Sequence, residues 1–264
     1  MGSFFADIHA DKESQLLGAF CGIKDTFEIQ KLREDKTYQG FLDLAKALRF
    51  QLRYRDAIGV CSEAIKLKQE EKEAYRQRAG AYLTTLQIEN AREDFKRCRE
   101  LGQDRLDVSY RLALCFYLQE EYEKAMEELE QTWKLCDDEM GIAVIFWHTL
   151  SAWKRRKKPA LFLKYYRTDM KIGHHTAYAF LIETVMKERN LEVAEKRLEN
   201  AGDLDFSIIG YGLYVYYQFL GMQEKAQTLL RAIIERDRFW ISYGYLAAWQ
   251  ESIRQKEKSE LCIH

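Results

Sequence analysis

Alanine recurs along this chain of 264 residues at a constant interval of 34 positions. Two series share the interval: Ala45, Ala79 and Ala113, and Ala57, Ala91 and Ala125. Apolar residues around them follow the i, i+3, i+4, i+7 spacing of amphipathic helices, two to each interval. A pair of such helices cannot bury both of its apolar faces alone. The interval therefore predicts a stack of helix pairs, each covered by its neighbours.

The stretch from Glu73 to Leu101 shows one complete unit, with a first helix predicted over about 73–86 and a second over about 90–101. Its interval and its paired helices resemble the tetratricopeptide repeat family over Tyr38–Cys136. The chain departs from that family because it lacks the proline that usually closes each repeat. The resemblance implies an all-α fold, a right-handed α-solenoid in which the first helix of each pair lines a concave groove.

Later repeats follow with less regular spacing, and Ala160, Ala194 and Ala226 lie in their second helices. The alternative is an irregular helical bundle in which the spacing arises by chance. Six second-helix alanines in near-register argue against this alternative. The stretch IAVIFWHTLSAW is apolar on nearly every side and should be buried on more than one face. We predict about six tetratricopeptide-like repeats, at 37–70, 71–104, 105–138, 139–172, 173–204 and 205–239. A C-terminal capping helix and tail are predicted to follow at 240–264.

Residues 1–36 precede the first repeat and are expected to form an N-terminal capping segment or arm. Their phenylalanines, Phe4, Phe5, Phe20 and Phe27, make this segment too apolar for a purely disordered tail. Three interpretations stay open: a cap on the first repeat, an occupant of the concave groove, or an exposed arm that binds a partner. The first two are favoured over the third.

The overall charge argues against a nucleic-acid-binding protein, since the formal net charge is −1 although 31% of residues are charged. No apolar run approaches the roughly 20 residues that span a bilayer, and the N-terminus lacks the basic region of a secretory signal. The six cysteines form no C-x-x-C pair, and Cys61, Cys98 and Cys115 fall on inward-facing positions. They indicate reduced packing thiols in a cytoplasmic protein rather than disulfides.

Catalytic and metal-binding patterns are not found in the sequence. It contains no glycine-rich phosphate loop, no H-E-x-x-H and no G-x-S-x-G. His148 lies beside Trp147 on the apolar helix and is expected to be a packed core histidine. His174 and His175 have no third ligand in reach of a metal. We therefore predict a protein that is not an enzyme and that needs no cofactor and no metal.

The resemblance implies a non-enzymatic scaffold that holds a peptide or helix of a partner protein in its groove. This groove is polar and mostly basic at its N-terminal end and becomes aromatic from the third repeat onward. Arginines and aromatic residues carry most interface energy, about 2 kcal/mol or more for each hot spot. Carrying the family pattern onto this chain places in the groove Lys46, Arg49, Arg76, Gln77, Tyr110, Arg111, Tyr117, Phe146, Trp153, Phe180, Tyr211 and Phe219.

One specialised role of the family is not expected here. Some tetratricopeptide domains grip the acidic C-terminal tail of heat-shock chaperones through a carboxylate clamp of lysine, asparagine and arginine. The matching positions in this chain are Leu42, Lys46, Gln77, Asp107 and Arg111. Only Arg111 keeps the residue type that the clamp requires, so we expect no receptor of that kind.

A second class of function is suggested by the basic run Lys154–Lys158. The run could be an exposed turn that keeps an apolar repeat soluble. It could instead bind RNA or another anionic surface, together with Arg49, Arg76 and Arg111, and such binding would weaken steeply with salt. Nucleic acid is the less favoured partner. A homodimer formed through the aromatic later repeats is a further possibility.

Overall fold

The computed structural model describes residues 24–102, 106–187 and 190–261. All regular secondary structure in these ranges is helical, and the helices pack in adjacent pairs. The first seven α-helices are α1 (Phe27–Leu32), α2 (Tyr38–Phe50), α3 (Tyr54–Leu67), α4 (Lys72–Thr84), α5 (Ile88–Glu100), α6 (Leu106–Leu118) and α7 (Tyr122–Trp133).

Seven further α-helices follow in the described part of the chain, with one π-helical and one 3-10 segment. They are α8 (Asp138–Lys154), α9 (Ala160–Tyr165), α10 (Thr176–Leu181), which continues as the π-helix Ile182–Lys187, α11 (Leu191–Glu199), α12 (Asp203–Leu220), α13 (Gln223–Glu235), the 3-10 turn Asp237–Phe239, and α14 (Tyr243–Leu261). None of the described helices is long and apolar enough to cross a membrane.

The chain divides into two compact units, which we call unit 1 (Met1–Cys115) and unit 2 (Phe116–His264). The division falls inside α6. Because residues 1–23 lie outside the described residues, the role predicted for most of the N-terminal segment stays a prediction. The part that is described, α1, packs on α2 through the fully buried Ile29. Asp25 ties the start of this helix to Arg53 with an ion pair of 2.6 Å.

The predicted interval is visible in the positions at which the helices begin. First helices begin at Tyr38, Lys72 and Leu106, which are 34 residues apart. Second helices begin at Tyr54, Ile88 and Tyr122, again 34 residues apart. All six alanines of the two predicted series are at most 1% exposed, because the paired helices approach most closely where the side chain is a single methyl group. The predicted all-α fold of paired helices is confirmed.

The turn inside each early pair has one repeated geometry. Leu52, Leu86 and Glu120 adopt the left-handed conformation, with φ of 60°, 56° and 62°. The residue after each of them donates its backbone N–H to a carbonyl five positions earlier, as in Arg53 N to Leu48 O at 2.9 Å. This arrangement closes the end of a helix by satisfying carbonyls that have no partner inside it. Glycine is favoured at such a position, yet these three turns manage without it.

The later helices depart from the regular pattern. Every residue of α8 from Gly141 to Trp153 is buried, as predicted for a helix that is apolar on nearly every side. Two of the helices that follow, α9 and α10, have only six residues each. The last helix, α14, packs against α12 and α13. It also reaches back within unit 2, where Arg254 pairs with Glu120 and donates to the carbonyl of Leu118.

Candidate functional site

Three arginines predicted to line the groove lie in unit 1. Arg49 projects from α2, Arg76 from α4 and Arg111 from α6, the first helices of three successive pairs. Burial lowers the pKa of the Arg49 guanidinium, and the positive charges of Arg111 and Arg76 lower this pKa further. The charges of Arg111 and Arg76 therefore act on Arg49 in the same unit.

Arg76 is neutralised by carboxylates, whereas its two neighbours are not. Its guanidinium bonds to Glu73 at 2.6 and 2.8 Å and to Asp107 at 3.0 Å. These bonds to Glu73, more than any other contact, raise the pKa of Arg76. Arg49 and Arg111 make no hydrogen bond or ion pair with any residue within the described ranges. The Nε of Arg49 is fully enclosed without an acceptor.

The side chain of Arg111 rests on the surface of α4. A Cβ atom added to Gly80 would lie 3.2 Å from Nη1 of Arg111, so this guanidinium rests close to the helix backbone. Glycine inside a helix costs about 1 kcal/mol relative to alanine. One turn earlier, Gln77 donates to Glu73 at 3.1 Å, while its buried Oε1 has no donor in the described part of the chain. Sequence reasoning missed Gly80, although an isolated glycine in a helical pattern is a recognised signal of close approach.

A cleft of about 430 Å³ lies beside Lys46 on the same helix as Arg49. Lys46 is exposed, and so is Phe50, whose ring is 79% exposed. Sequence reasoning overlooked Phe50, which stands off the apolar stripe of α2 and could have been recognised for that reason. The cleft is lined by Glu28, Leu32, Asp43, Lys46, Ala47, Phe50 and Gln51.

The aromatic half of the predicted groove has a different place in the structure. Tyr117, Phe146, Trp153 and Tyr211 are all at most 4% exposed, so they are core residues of unit 2 and cannot line an open groove there. Tyr110 of unit 1 is buried as well. Phe180 and Phe219 are half-buried, each with an arginine, Arg197 or Arg156, over its ring.

Packing between first helices explains this burial. Helices α8 and α12, which were expected to present aromatic side chains to a partner, contact each other directly. The hydroxyl groups of Tyr117 and Tyr211 are 2.9 Å apart, and Phe146 packs edge-to-face on Tyr178 with ring centroids at 4.8 Å. The aromatic residues that suggested a homodimer are therefore largely used inside unit 2.

The basic run Lys154–Lys158 is also largely engaged within unit 2. Four of its five side chains contact other groups of the protein, which leaves Lys158 without such a contact among the described residues. This use of the charges removes much of the basis for an RNA-binding turn. The contacts are Lys154 with Glu251, Arg155 and Lys157 with Glu123, and Arg156 with the carbonyls of Gln218 and Phe219.

The thiols and imidazoles lie in packed surroundings. Cys61 and Cys98 are fully buried, and burial raises the pKa of each thiol to about 12, so both stay protonated near neutral pH. Within the described ranges, no group of three or more histidine, cysteine or acidic side chains could hold a metal ion. His148 is buried on α8, as expected for a core histidine.

The paired helices recur at the 34-residue interval of tetratricopeptide-like repeats. No family model matches the chain. In sequence, it is similar to sperm-associated antigen 1 of Homo sapiens, with 25% identity over 123 residues. The aligned part is 47% of this chain but only 13% of that protein.

Three solved structures align with this chain, each with a TM-score below 0.5. YrrB, a TPR protein with an unusual peptide-binding site, aligns with a TM-score of 0.45 and 14% identity over 88% of this chain and 98% of its own. The MamA protein aligns with a TM-score of 0.48 and 20% identity over 70% of this chain and 94% of its own chain. A chain of the Naa15/Naa10 complex bound to HypK-THB aligns with a TM-score of 0.39 and 16% identity over 98% of this chain and 42% of its own length.

Proposed function

We propose that this chain is a non-enzymatic interaction scaffold that binds a peptide or helix of a partner protein through unit 1. The contact surface would be formed by the first helices α2, α4 and α6. The proposal is carried by two guanidinium groups without carboxylate partners, Arg49 on α2 and Arg111 on α6. An exposed lysine and an exposed phenylalanine, Lys46 and Phe50, accompany Arg49 on α2. Arginines and aromatic rings are the side chains that most often dominate a protein interface.

Unit 2 is a weaker candidate for this contact. Its aromatic first-helix residues already pack against one another, so a partner would have to displace core contacts to reach them. One polar side chain of α14 is engaged in the same way, since Glu251 is buried and pairs with Lys154. The cleft beside Phe50 is instead open, and it can accept an apolar side chain without rearrangement of the core.

A peptide-display selection against the full chain, followed by calorimetric titration of the recovered peptides, tests this function. Phe50→Ala should weaken peptide binding by about tenfold, which corresponds to about 1.4 kcal/mol. It should change the free energy of unfolding by no more than about 0.5 kcal/mol, because the ring is exposed. Leu163→Ala on α9 is the matched control, since Leu163 is 65% exposed but lies in unit 2.

Two results would contradict the proposal. The first is a selection in which no peptide is enriched over a display without the protein. The second is a set of recovered peptides whose affinity is lowered by Leu163→Ala and not by Phe50→Ala, which would move the contact surface to unit 2.

A further inference from the structure

The two most exposed aromatic residues of the described chain lie on helix ends that meet. Phe27 is the first residue of α1 and Phe50 is the last residue of α2, and they are 83% and 79% exposed. Gln51 donates a hydrogen bond of 3.3 Å to Oγ1 of Thr26, which brings these two helix ends together. Single exposed apolar residues are common, whereas neighbouring ones mark an interaction surface.

The cleft lined by α1 and α2 adjoins these helix ends. Its aliphatic part is formed by Leu32 and Ala47, which are both half-buried. Phe50 lines the same cleft. The volume of about 430 Å³ is sufficient for an aromatic side chain from another molecule.

Charged side chains of both signs line this cleft without pairing among the described residues. Lys46 and Glu28 are exposed and make no hydrogen bond or ion pair there. The third charged group, Asp43, accepts a hydrogen bond of 3.0 Å from Gln39 and forms no ion pair in the described part of the chain. One cation and one anion are therefore available on the same face, and neither is used within the chain.

This set of groups is complementary to itself. A surface that binds a different protein carries one half of each contact, and the partner supplies the other half. Here an aromatic ring and a cleft that can receive it belong to one surface, and so do a cation and an anion. Such a surface meets the requirement of a two-fold symmetric dimer, in which every contact between the two copies occurs twice.

We propose that this chain forms a two-fold symmetric dimer through the face of α1 and α2 that carries Phe27 and Phe50. Phe50 of each copy enters the cleft of the other copy. Lys46 precedes Phe50 by one helical turn on the same side of α2, so it is carried to Glu28 of the other copy. Glu28 is the expected partner because Asp43 already accepts a hydrogen bond from Gln39.

The dimer goes beyond the peptide-binding function proposed above but uses part of the same surface. Because Phe50 serves both contacts, a bound peptide and a second copy of the chain exclude each other. Each occupant therefore lowers the apparent affinity of the other, as linkage requires. Self-association in this form regulates how much of the peptide-binding surface is accessible.

Sedimentation velocity of the full chain over a range of micromolar concentrations tests the dimer. The wild type should show a monomer–dimer equilibrium. Lys46→Glu and Glu28→Lys should each weaken association about tenfold or more, because each places like charges opposite one another. An equal mixture of the two variants should restore association to within about threefold of the wild type, since opposite charges then meet in both symmetric contacts.

Control variants reverse charges elsewhere in unit 1. Lys96→Glu and Glu93→Lys are matched to the test pair, because both residues are exposed on α5 and form no ion pair within the described ranges. Neither should change association by more than about twofold. Phe27→Ala is a further variant without a charge change, and it should weaken association about threefold while the circular dichroism spectrum stays unchanged.

Three results would overturn the proposal. They are a wild type that is monomeric at every concentration, a dimer that neither charge reversal weakens, and a mixture that associates no better than the single variants. A fourth result, faster hydrogen exchange in residues 1–23 of a monomeric Phe50→Ala variant than in a monomeric wild type, would assign the cleft to the N-terminal segment instead.

The outcomes also separate the dimer from the peptide-binding function. If peptides that depend on Phe50 are selected by a chain that stays monomeric, the scaffold function stands and the dimer alone fails. If the chain dimerises as described and no peptide is enriched, the dimer stands and the scaffold function fails. Dissociation of the dimer by a selected peptide would support both.

Discussion

At the scale of single residues, burial outweighs a charged partner at two ionisable groups: it raises the pKa of Asp94 and lowers the pKa of His148. Asp94 is buried in unit 1, and Arg78 bonds both of its carboxylate oxygens at 2.7 and 2.8 Å. His148 is buried in unit 2, but Glu130, 3.5 Å away, is half-exposed. Water screens the charge of an exposed carboxylate, so burial prevails and lowers the pKa of His148 below its ordinary value of 6.5.

This lowered pKa predicts a loss of stability in acid. Below about pH 6.5 the unfolded chain takes up a proton at His148 that the folded chain does not, so the free energy of unfolding should fall as the pH falls toward the lowered folded pKa. The slope from one such group is at most about 1.4 kcal/mol per pH unit. Urea unfolding followed by circular dichroism between about pH 8 and about pH 5 measures it.

The His148→Gln variant separates this group from the other titrating residues. Its stability should depend less on pH than that of the wild type over the same range. His175→Gln is the comparison, because burial also lowers the pKa of His175, which is less deeply buried. Identical pH profiles for the wild type and His148→Gln would show that His148 does not contribute.

At the scale of helices, close packing in unit 2 depends on glycine. A Cβ atom on Gly212 of α12 would overlap Cδ2 of Leu181 and lie 3.0 Å from Cε2 of Phe146. Both neighbours are fully buried, so neither has space to move. Gly244 of α14 likewise faces the backbone of Ser207, and a methyl group there would meet main-chain atoms.

Opposite effects are therefore expected from two glycine-to-alanine changes. Gly212→Ala should lower the free energy of unfolding by about 1–3 kcal/mol, since it overpacks a full core. Gly59→Ala, on the exposed side of α3, should raise it by up to about 1 kcal/mol through helix propensity. Differential scanning calorimetry measures both. A stabilising Gly212→Ala would mean that the α8, α10 and α12 contact is looser than described.

The sequence predicted the helix pairs well and the candidate site only in part. Helix pairs could be predicted because the small residues at each crossing recur in the chain itself, as with Ala57 and Ala91. The basic residues Arg49, Arg76 and Arg111 were identified from their first-helix positions. Tyr211 was misplaced because an aromatic residue suits both an interface and a core, and only the packing of α8 on α12 distinguishes them.

At the scale of the whole molecule, the last helix is bound to unit 2 by charge as well as by apolar packing. Trp249 and Tyr245, on one side of α14, are buried. The opposite side was expected to face solvent as a terminal cap. Instead Glu251 pairs with Lys154, and Arg254 pairs with Glu120, so the polar side holds elements that are distant in sequence.

Removal of α14 should therefore destabilise unit 2 far from the deletion. In a chain that ends at Ser242, amide hydrogen exchange should accelerate in α8 and α12, which lose buried contacts to Glu251 and its neighbours. Exchange in α2 to α5 of unit 1 should change little. Exchange that accelerated only near the new C-terminus would contradict this role and would support a simple cap.

The amino-acid sequence by itself determined the repeat length, the pairing of helices and the class of fold. Each of these depends on contacts between residues fewer than about 34 positions apart. The residues that make such contacts recur in the sequence at a regular interval. The tertiary structure decided which predicted groove residues stay accessible. Burial is set by helices that meet across long separations, such as α8 with α12 and α14, and an apolar side chain packs equally well against any of them.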